Sequence, residues 1–96
     1  MERFEYDILI VINGRRFSRL VIDQHYREKH KTIDDNLIIQ LVGQLHGEDY
    51  EPKGSNDGFE YYVEDKMKLG TKLYKLVWTL KAHDNYIGII NYYRRR

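Results

Sequence analysis

Residues 4–22, FEYDILIVINGRRFSRLVI, contain the strongest folding signal in this chain. Apolar side chains recur at every second position of the first half, which is the period of a β-strand: Phe4, Tyr6, Ile8, Ile10 and Ile12. Asn13-Gly14 follows, and this dipeptide favours a type I′ turn, whose two central residues need positive φ. We therefore predict a hairpin in which Ile12 pairs with Arg15 and Ile10 with Phe17. In that register Arg15 and Arg19 share one face.

Two helices are predicted after the hairpin. Asp23 is a candidate N-cap for a first helix from Gln24 to about His30. A second helix, capped by Thr32, Asp34 or Asp35, is predicted to end at Gly47. Its apolar residues recur at helical spacing and predict one buried face: Ile33, Leu37, Ile38, Leu41, Val42 and Leu45.

Three more strands are predicted, over residues 59–63, 72–80 and 86–93, after an exposed loop at 52–58. The last strand is apolar almost throughout, as a central strand covered on both faces would be. The order ββααβββ indicates an α+β fold with helices on one face of a mostly antiparallel sheet. Ninety-six residues without a repeat or linker predict a single domain, residues 1–96.

Composition favours a protein of the cytoplasm. The chain has no Cys, whereas small secreted domains are usually cross-linked by disulfides. The apolar run near the N-terminus is too short and too charged for a membrane span, and it lacks a signal-peptide cleavage site. We therefore expect a cytoplasmic protein with no membrane partner.

Charge is distributed unevenly although the net charge is only +1. Residues 15–31 are rich in Lys and Arg, residues 33–51 carry acidic side chains without any Lys or Arg, and the chain ends in three Arg. The local field of such a surface matters more to a polyanion than the total charge does.

Several kinds of site are not supported by the sequence. The four His form no familiar ligand pattern with carboxylates, and Cys is absent, so we expect no metal and no cofactor. Ser18 and Ser55 do not lie in a nucleophile elbow. Gly54 and Gly58 lack the spacing and the Lys of a phosphate-binding loop.

The residues best suited to chemistry lie in DQHYREKHK, residues 23–31. In a helix, His25 and Lys29 would share one face, and Tyr26 and His30 another. Histidine exchanges a proton near neutral pH, and a neighbouring cation stabilises negative charge at a phosphate. The same residues are also consistent with a solvated basic helix that packs one His against the core.

The predicted last strand ends in Asn91-Tyr92-Tyr93-Arg94, and Arg95 and Arg96 follow. Aromatic rings beside Arg suit the stacking of a base and the binding of a phosphate. Packing at a strand end, followed by a charged tail, is the alternative interpretation.

Four segments together resemble a known family. They are HYREKH at 25–30, Ile33-Asp-Asp with the apolar helix, YKLV at 74–77 and IGIINYYR at 87–94. The pattern resembles the RelE-like toxins, and more closely the BrnT-type branch of the barnase–RelE superfamily, over about three quarters of the chain. In that branch a Lys-His pair precedes an amphipathic helix, as Lys29-His30 does. The closing strand there ends in an aromatic or small residue followed by Arg, as in Tyr93-Arg94.

The resemblance implies a RelE-like fold and the toxin of a type II toxin–antitoxin pair. Such toxins are metal-independent endoribonucleases that often act on mRNA, and a protein antitoxin holds them inactive. The cognate antitoxin and RNA are the implied partners, with the ribosome as a further candidate.

By position, the resemblance assigns roles to five residues: His25 or His30 as base or acid, Lys29 and Arg94 as phosphate-binding cations, and Tyr93 as a stacking or proton-donating group. The distribution of basic and aromatic residues adds four candidate RNA-binding residues: Arg15, Arg19, Arg27 and Tyr92. A non-catalytic RNA- or protein-binding module of the same fold stays open as an alternative. So does a structural subunit that assembles through its nine Tyr.

Overall fold

The structure is a computed structural model that describes residues 3–23 and 33–95. In these ranges the chain forms six strands and one helix: Arg3–Ile12 (β1), Arg15–Asp23 (β2), Asp35–Gly43 (α1), Gly54–Asn56 (β3), Phe59–Leu69 (β4), Lys72–Lys81 (β5) and Tyr86–Arg95 (β6). The strands belong to one sheet in the order β1-β2-β6-β5-β4-β3.

The predicted hairpin is confirmed in β1 and β2. Asn13 and Gly14 both have positive φ, 54° and 73°, and Ile12 lies opposite Arg15 as expected. The register of β1 and β2 then shifts between Asp7 and Ile10, where two residues of β1 lie opposite Ser18, and the alternation of side chains changes there. Arg15 and Arg19 therefore lie on opposite faces of the sheet, and the prediction that they share one face is wrong.

Helix α1 has the predicted buried face but is shorter than predicted. Asp34 is its N-cap, and its side chain accepts a hydrogen bond of 2.9 Å from the N–H of Leu37. The helix ends at Gly43, and residues 44–47 form turns that close with Gly47 at a φ of 80°. The other predicted helix, from Gln24 to about His30, lies outside the described residues.

The prediction of an α+β fold with two helices and an antiparallel sheet, in the order ββααβββ, is wrong. The described residues contain a single helix, and the sheet is mixed because β2 and β6 run parallel. A sixth strand, β3, occupies part of the predicted loop and pairs with β4 across the turn Asp57-Gly58. Periodicity in a sequence identifies strands, but their neighbours in a sheet are chosen by long-range burial.

The core lies between α1 and one face of the sheet. Trp78 is fully buried there; its ring stacks on Tyr62 at 5.3 Å between centroids and meets Tyr50 edge to face at 5.3 Å. At the start of α1, the Tyr6 hydroxyl donates to the Asp35 carboxylate and ties β1 to the helix.

The opposite face of the sheet, called the open face here, carries no helix in the described ranges. Val21 is buried on it, yet stands apart from the core cluster that includes α1. The open-face positions alternate with core positions along five strands: Glu5 and Asp7 of β1, Arg19 and Val21 of β2, Phe59, Tyr61, Val63 and Asp65 of β4, Lys75, Val77, Thr79 and Lys81 of β5, and Tyr86, Gly88, Ile90, Tyr93 and Arg95 of β6.

Candidate RNA-binding face

Two lysines of β5 reach aromatic rings across the open face. The Lys81 Nζ lies 5.4 Å from the centroid of Phe59, its cross-strand partner on β4. The Lys75 Nζ lies 5.4 Å from the centroid of Tyr93, its partner on β6. Each pair places an ammonium group beside a partly exposed ring. Such a pair can hold an aromatic group together with a neighbouring anion.

The two pairs lie at opposite ends of the face, since six residues of a strand span about 20 Å. Between them the sheet surface forms a depression of about 180 Å³, called the Gly88 groove here. Its lining consists of these residues: Val21, Asp23, Phe59, Thr79, Tyr86, Gly88, Ile89 and Ile90. A Cβ atom at Gly88 would lie only 2.9 Å from Thr79 Cγ2. Because Gly88 has no side chain, this space stays open and the groove is deeper there.

Two other cations of the open face lie beside acidic side chains. Arg19 Nη2 lies 3.6 Å from Glu5 Oε1, and Arg95 Nε lies 3.4 Å from Asp65 Oδ1. All four side chains are about half exposed or somewhat less, so each pair stabilises the fold by no more than about 1 kcal/mol. An incoming phosphate can displace such weak pairs.

Tyr92 and Tyr93 have different surroundings, although they are adjacent. Tyr92 is 1% exposed and belongs to the core, so it does not present its ring to RNA as predicted. Tyr93 lies on the open face. Arg94 returns to the face of α1, where it is exposed opposite Tyr74. Tyr93 and Arg94, predicted to act together, therefore belong to opposite faces of the sheet.

Arg15, a predicted RNA-binding residue, makes contacts within the fold. Its guanidinium lies 5.0 Å from the ring centroid of Phe17. Its Nη2 donates to the carbonyls of Lys81 and Asp84, at 3.0 and 3.1 Å. These bonds fasten the start of β2 to the turn between β5 and β6. Arg19, by contrast, lies on the open face as a candidate RNA-binding residue.

His25, Arg27, Lys29 and His30 lie outside the described residues. The strand that leads into them is described, and the parallel register places Ile22 beside Ile89. β2 therefore ends at Asp23 near Ile90, and both residues line the Gly88 groove. From that point β6 continues for only three residues, about 10 Å, to Tyr93. The end of β2 and the closing segment of β6 thus lie at the same end of the sheet.

A polar network at the opposite end of the sheet surrounds Asn13. Its Oδ1 accepts from the Tyr50 N–H at 2.6 Å, and its Nδ2 donates to the Tyr62 hydroxyl at 3.3 Å. Burial raises the pKa of Tyr62, and the charge of Glu60 raises it further. Burial likewise raises the pKa of Tyr50. Both phenols stay protonated at neutral pH, so this network serves the fold.

The sequence interpretation missed Lys75, Lys81, Phe59 and Tyr86. The signal for the lysines was present, because they alternate with the apolar face of β5 and so had to project from its other side. The contribution of Phe59 and Tyr86 depends on the strand order, which the sequence does not state.

No family model, curated protein or solved structure matches this chain. Within residues 3–23 and 33–95, no group of three or more His, Cys, Asp or Glu side chains is arranged to hold a metal ion. No helix in those ranges has the length and apolar character required to cross a membrane.

Proposed function

We propose that this protein is a metal-independent endoribonuclease that binds RNA on the open face, and that it is the toxin of a type II toxin–antitoxin pair. The parallel pairing of β2 with β6 is the observation that supports it most. This pairing brings the strand end that leads to His25 and His30 next to the segment that carries Tyr93. The resemblance of residues 23–94 to RelE-like toxins supplies the reaction class.

The proposed reaction is an in-line transesterification at phosphorus. His25 or His30 removes the proton of a 2′-hydroxyl, whose oxygen then forms a bond to the adjacent phosphorus. The bond from phosphorus to the 5′-oxygen breaks, and that oxygen receives a proton from the general acid, for which the candidates are the other His and Tyr93. Lys29 stabilises the charge that develops on the phosphate oxygens. Tyr93 and Lys75 would hold a neighbouring base and its phosphate.

The test is cleavage of single-stranded RNA by the purified protein in EDTA. His25→Asn and His30→Asn are compared with His83→Asn, a matched control in the exposed turn after β5. We expect the rate to fall at least about 100-fold for the His that transfers the proton, and to stay unchanged for the control. Absence of cleavage by the wild type, or equal cleavage by all four proteins, would end the proposal.

A second set of variants tests which face of the sheet binds the scissile phosphate. Arg94 lies on the side of α1, whereas Arg95 lies on the open face beside Asp65. Cleavage that depends on Arg95 and tolerates Arg94→Ala would place the scissile phosphate on the open face. Dependence on Arg94 alone would move it to the other face. Arg16→Ala, an exposed site on β2, is the control.

The antitoxin is tested by expression in cells. We expect the protein to arrest growth, and co-expression of the protein encoded next to it to relieve the arrest. Normal growth at high expression of a folded, RNA-cleaving protein would leave the nuclease activity in place and remove the assignment as a toxin.

A non-catalytic RNA-binding module is the second candidate. The two lysine–aromatic pairs of the open face favour it, because an ammonium group beside an aromatic ring suits phosphate binding and base stacking without a proton-transferring His. It predicts affinity that falls with salt concentration, without turnover. Binding that does not change between about 50 and 200 mM salt would contradict it.

A further inference from the structure

We infer that the Gly88 groove holds one unstacked base of single-stranded RNA. This inference rests on the proposed function, because it takes RNA as the ligand of the open face. It adds a base-binding site, distinct from the Lys75–Tyr93 pair, that positions the strand across the sheet.

The size of the groove suits a single ring system. Its volume is about 180 Å³. Pockets for drug-sized ligands are larger, at roughly 300–1,000 Å³. A base that has left its stack is a flat group of suitable size, whereas a folded peptide segment is not.

The walls and the floor suit a flat aromatic ligand. Phe59 and Tyr86 are partly exposed and line the groove, and an aromatic ring stacks on any base because every base has a π-face. Gly88 contributes no side chain to the floor. A glycine inside a strand often marks a place where a ligand approaches the backbone closely.

Charge distinguishes a nucleotide from a neutral apolar side chain. Lys81 is exposed and lies 5.4 Å from the ring of Phe59. Arg19 is the parallel neighbour of Tyr86 on β2. Both aromatic walls therefore have a cation beside them, which can bind the phosphates on either side of a base in the groove.

The test measures binding of a fluorescent single-stranded oligonucleotide with 2′-O-methyl groups, which lacks the 2′-hydroxyl nucleophile and stays intact. Phe59→Leu and Tyr86→Leu alter the groove, and Lys81→Gln removes the cation beside Phe59. Tyr61→Leu is the matched control, because Tyr61 lies on the open face of β4 but does not line the groove. Circular dichroism of every variant checks that the fold is retained. Lys81→Gln should fold normally because it changes only an exposed side chain.

We expect Phe59→Leu and Tyr86→Leu each to weaken binding roughly fivefold to a hundredfold, and Tyr61→Leu to change it less than twofold. If the wild type cleaves RNA but all three groove variants bind like the wild type, the groove assignment is overturned and the proposed nuclease stands. If the wild type neither cleaves nor binds RNA, both fail. Unchanged RNA binding together with lost antitoxin binding would assign the groove to a protein partner and overturn the inference.

Discussion

The two faces of the sheet are built by the same strands but differ in what they offer a ligand. On β5, every second side chain from Tyr74 to Leu80 is at most 5% exposed and packs in the core. The positions of β5 that alternate with these on the other face run from Lys75 to Lys81, and both lysines reach partly exposed aromatic rings. A two-residue period thus lets one strand hold the fold with one face and present binding groups on the other. The covered face has few accessible groups, which is why the proposed RNA site is on the open one.

The two faces are expected to differ most in how much their side chains contribute to the free energy of unfolding. Trp78→Ala removes a fully buried ring between Tyr50 and Tyr62 and should lower the free energy of unfolding by about 3–5 kcal/mol. For a small domain this approaches the whole stability. Urea unfolding followed by circular dichroism measures it. A cooperative transition that shifts by less than about 1 kcal/mol would show that the covered face is not the main source of stability.

A smaller loss of stability is expected at the end of the sheet near the hairpin turn. Arg15→Ala removes two hydrogen bonds to carbonyls and the contact with Phe17, at an expected cost of about 1–3 kcal/mol. Arg16→Ala is the matched control on an exposed side chain. RNA affinity of the folded Arg15→Ala protein should stay at the wild-type value. Lost affinity with unchanged stability would support the predicted role of Arg15 in RNA binding.

The covered face also predicts a loss of stability in alkali. The folded-state pKa of Tyr62 is raised above 10.0, first by burial and then by Glu60. The folded protein holds this proton more tightly than the unfolded chain does. The resulting stabilisation is present below pH 10 and is lost as the pH rises through the folded-state pKa. Urea midpoints at about pH 8 and about pH 11 should therefore differ less for Tyr62→Phe than for the wild type. Equal differences in the two proteins would contradict this assignment.

The smallest effect on stability is expected on the open face. Lys75→Gln should change the free energy of unfolding by less than about 0.5 kcal/mol, because only the contact with Tyr93 is lost. RNA affinity should fall, and the slope of its logarithm against that of salt concentration should decrease by about 0.7 for one lost phosphate contact. Titrations at several salt concentrations measure both. An unchanged slope would mean that Lys75 does not contact a phosphate.

The candidate site was only partly predictable from the sequence. Tyr93 and Arg19 lie on the open face, in agreement with a role in binding, but Tyr92 is in the core and Arg94 is on the other face. An irregularity in β6 beside Val77 and Trp78 and the register shift between β1 and β2 opposite Ser18 interrupt the simple alternation. Such irregularities depend on the partner strand, so a count of residues along one strand misassigns the faces beyond them.

The sequence by itself determined the hairpin turn and the apolar faces of α1 and β5, and it limited the N-cap of α1 to Thr32, Asp34 or Asp35. Each depends on residues close together in the chain: the positive φ that Asn13-Gly14 accepts, the capping carboxylate of Asp34, and a regular period of apolar residues. Only the tertiary structure decided that β6 lies between β2 and β5, parallel to the first and antiparallel to the second. That arrangement created the open face and the Gly88 groove. The physical reason is that strand neighbours are selected by the burial of the whole sheet against α1, a contribution to the free energy that no local segment contains.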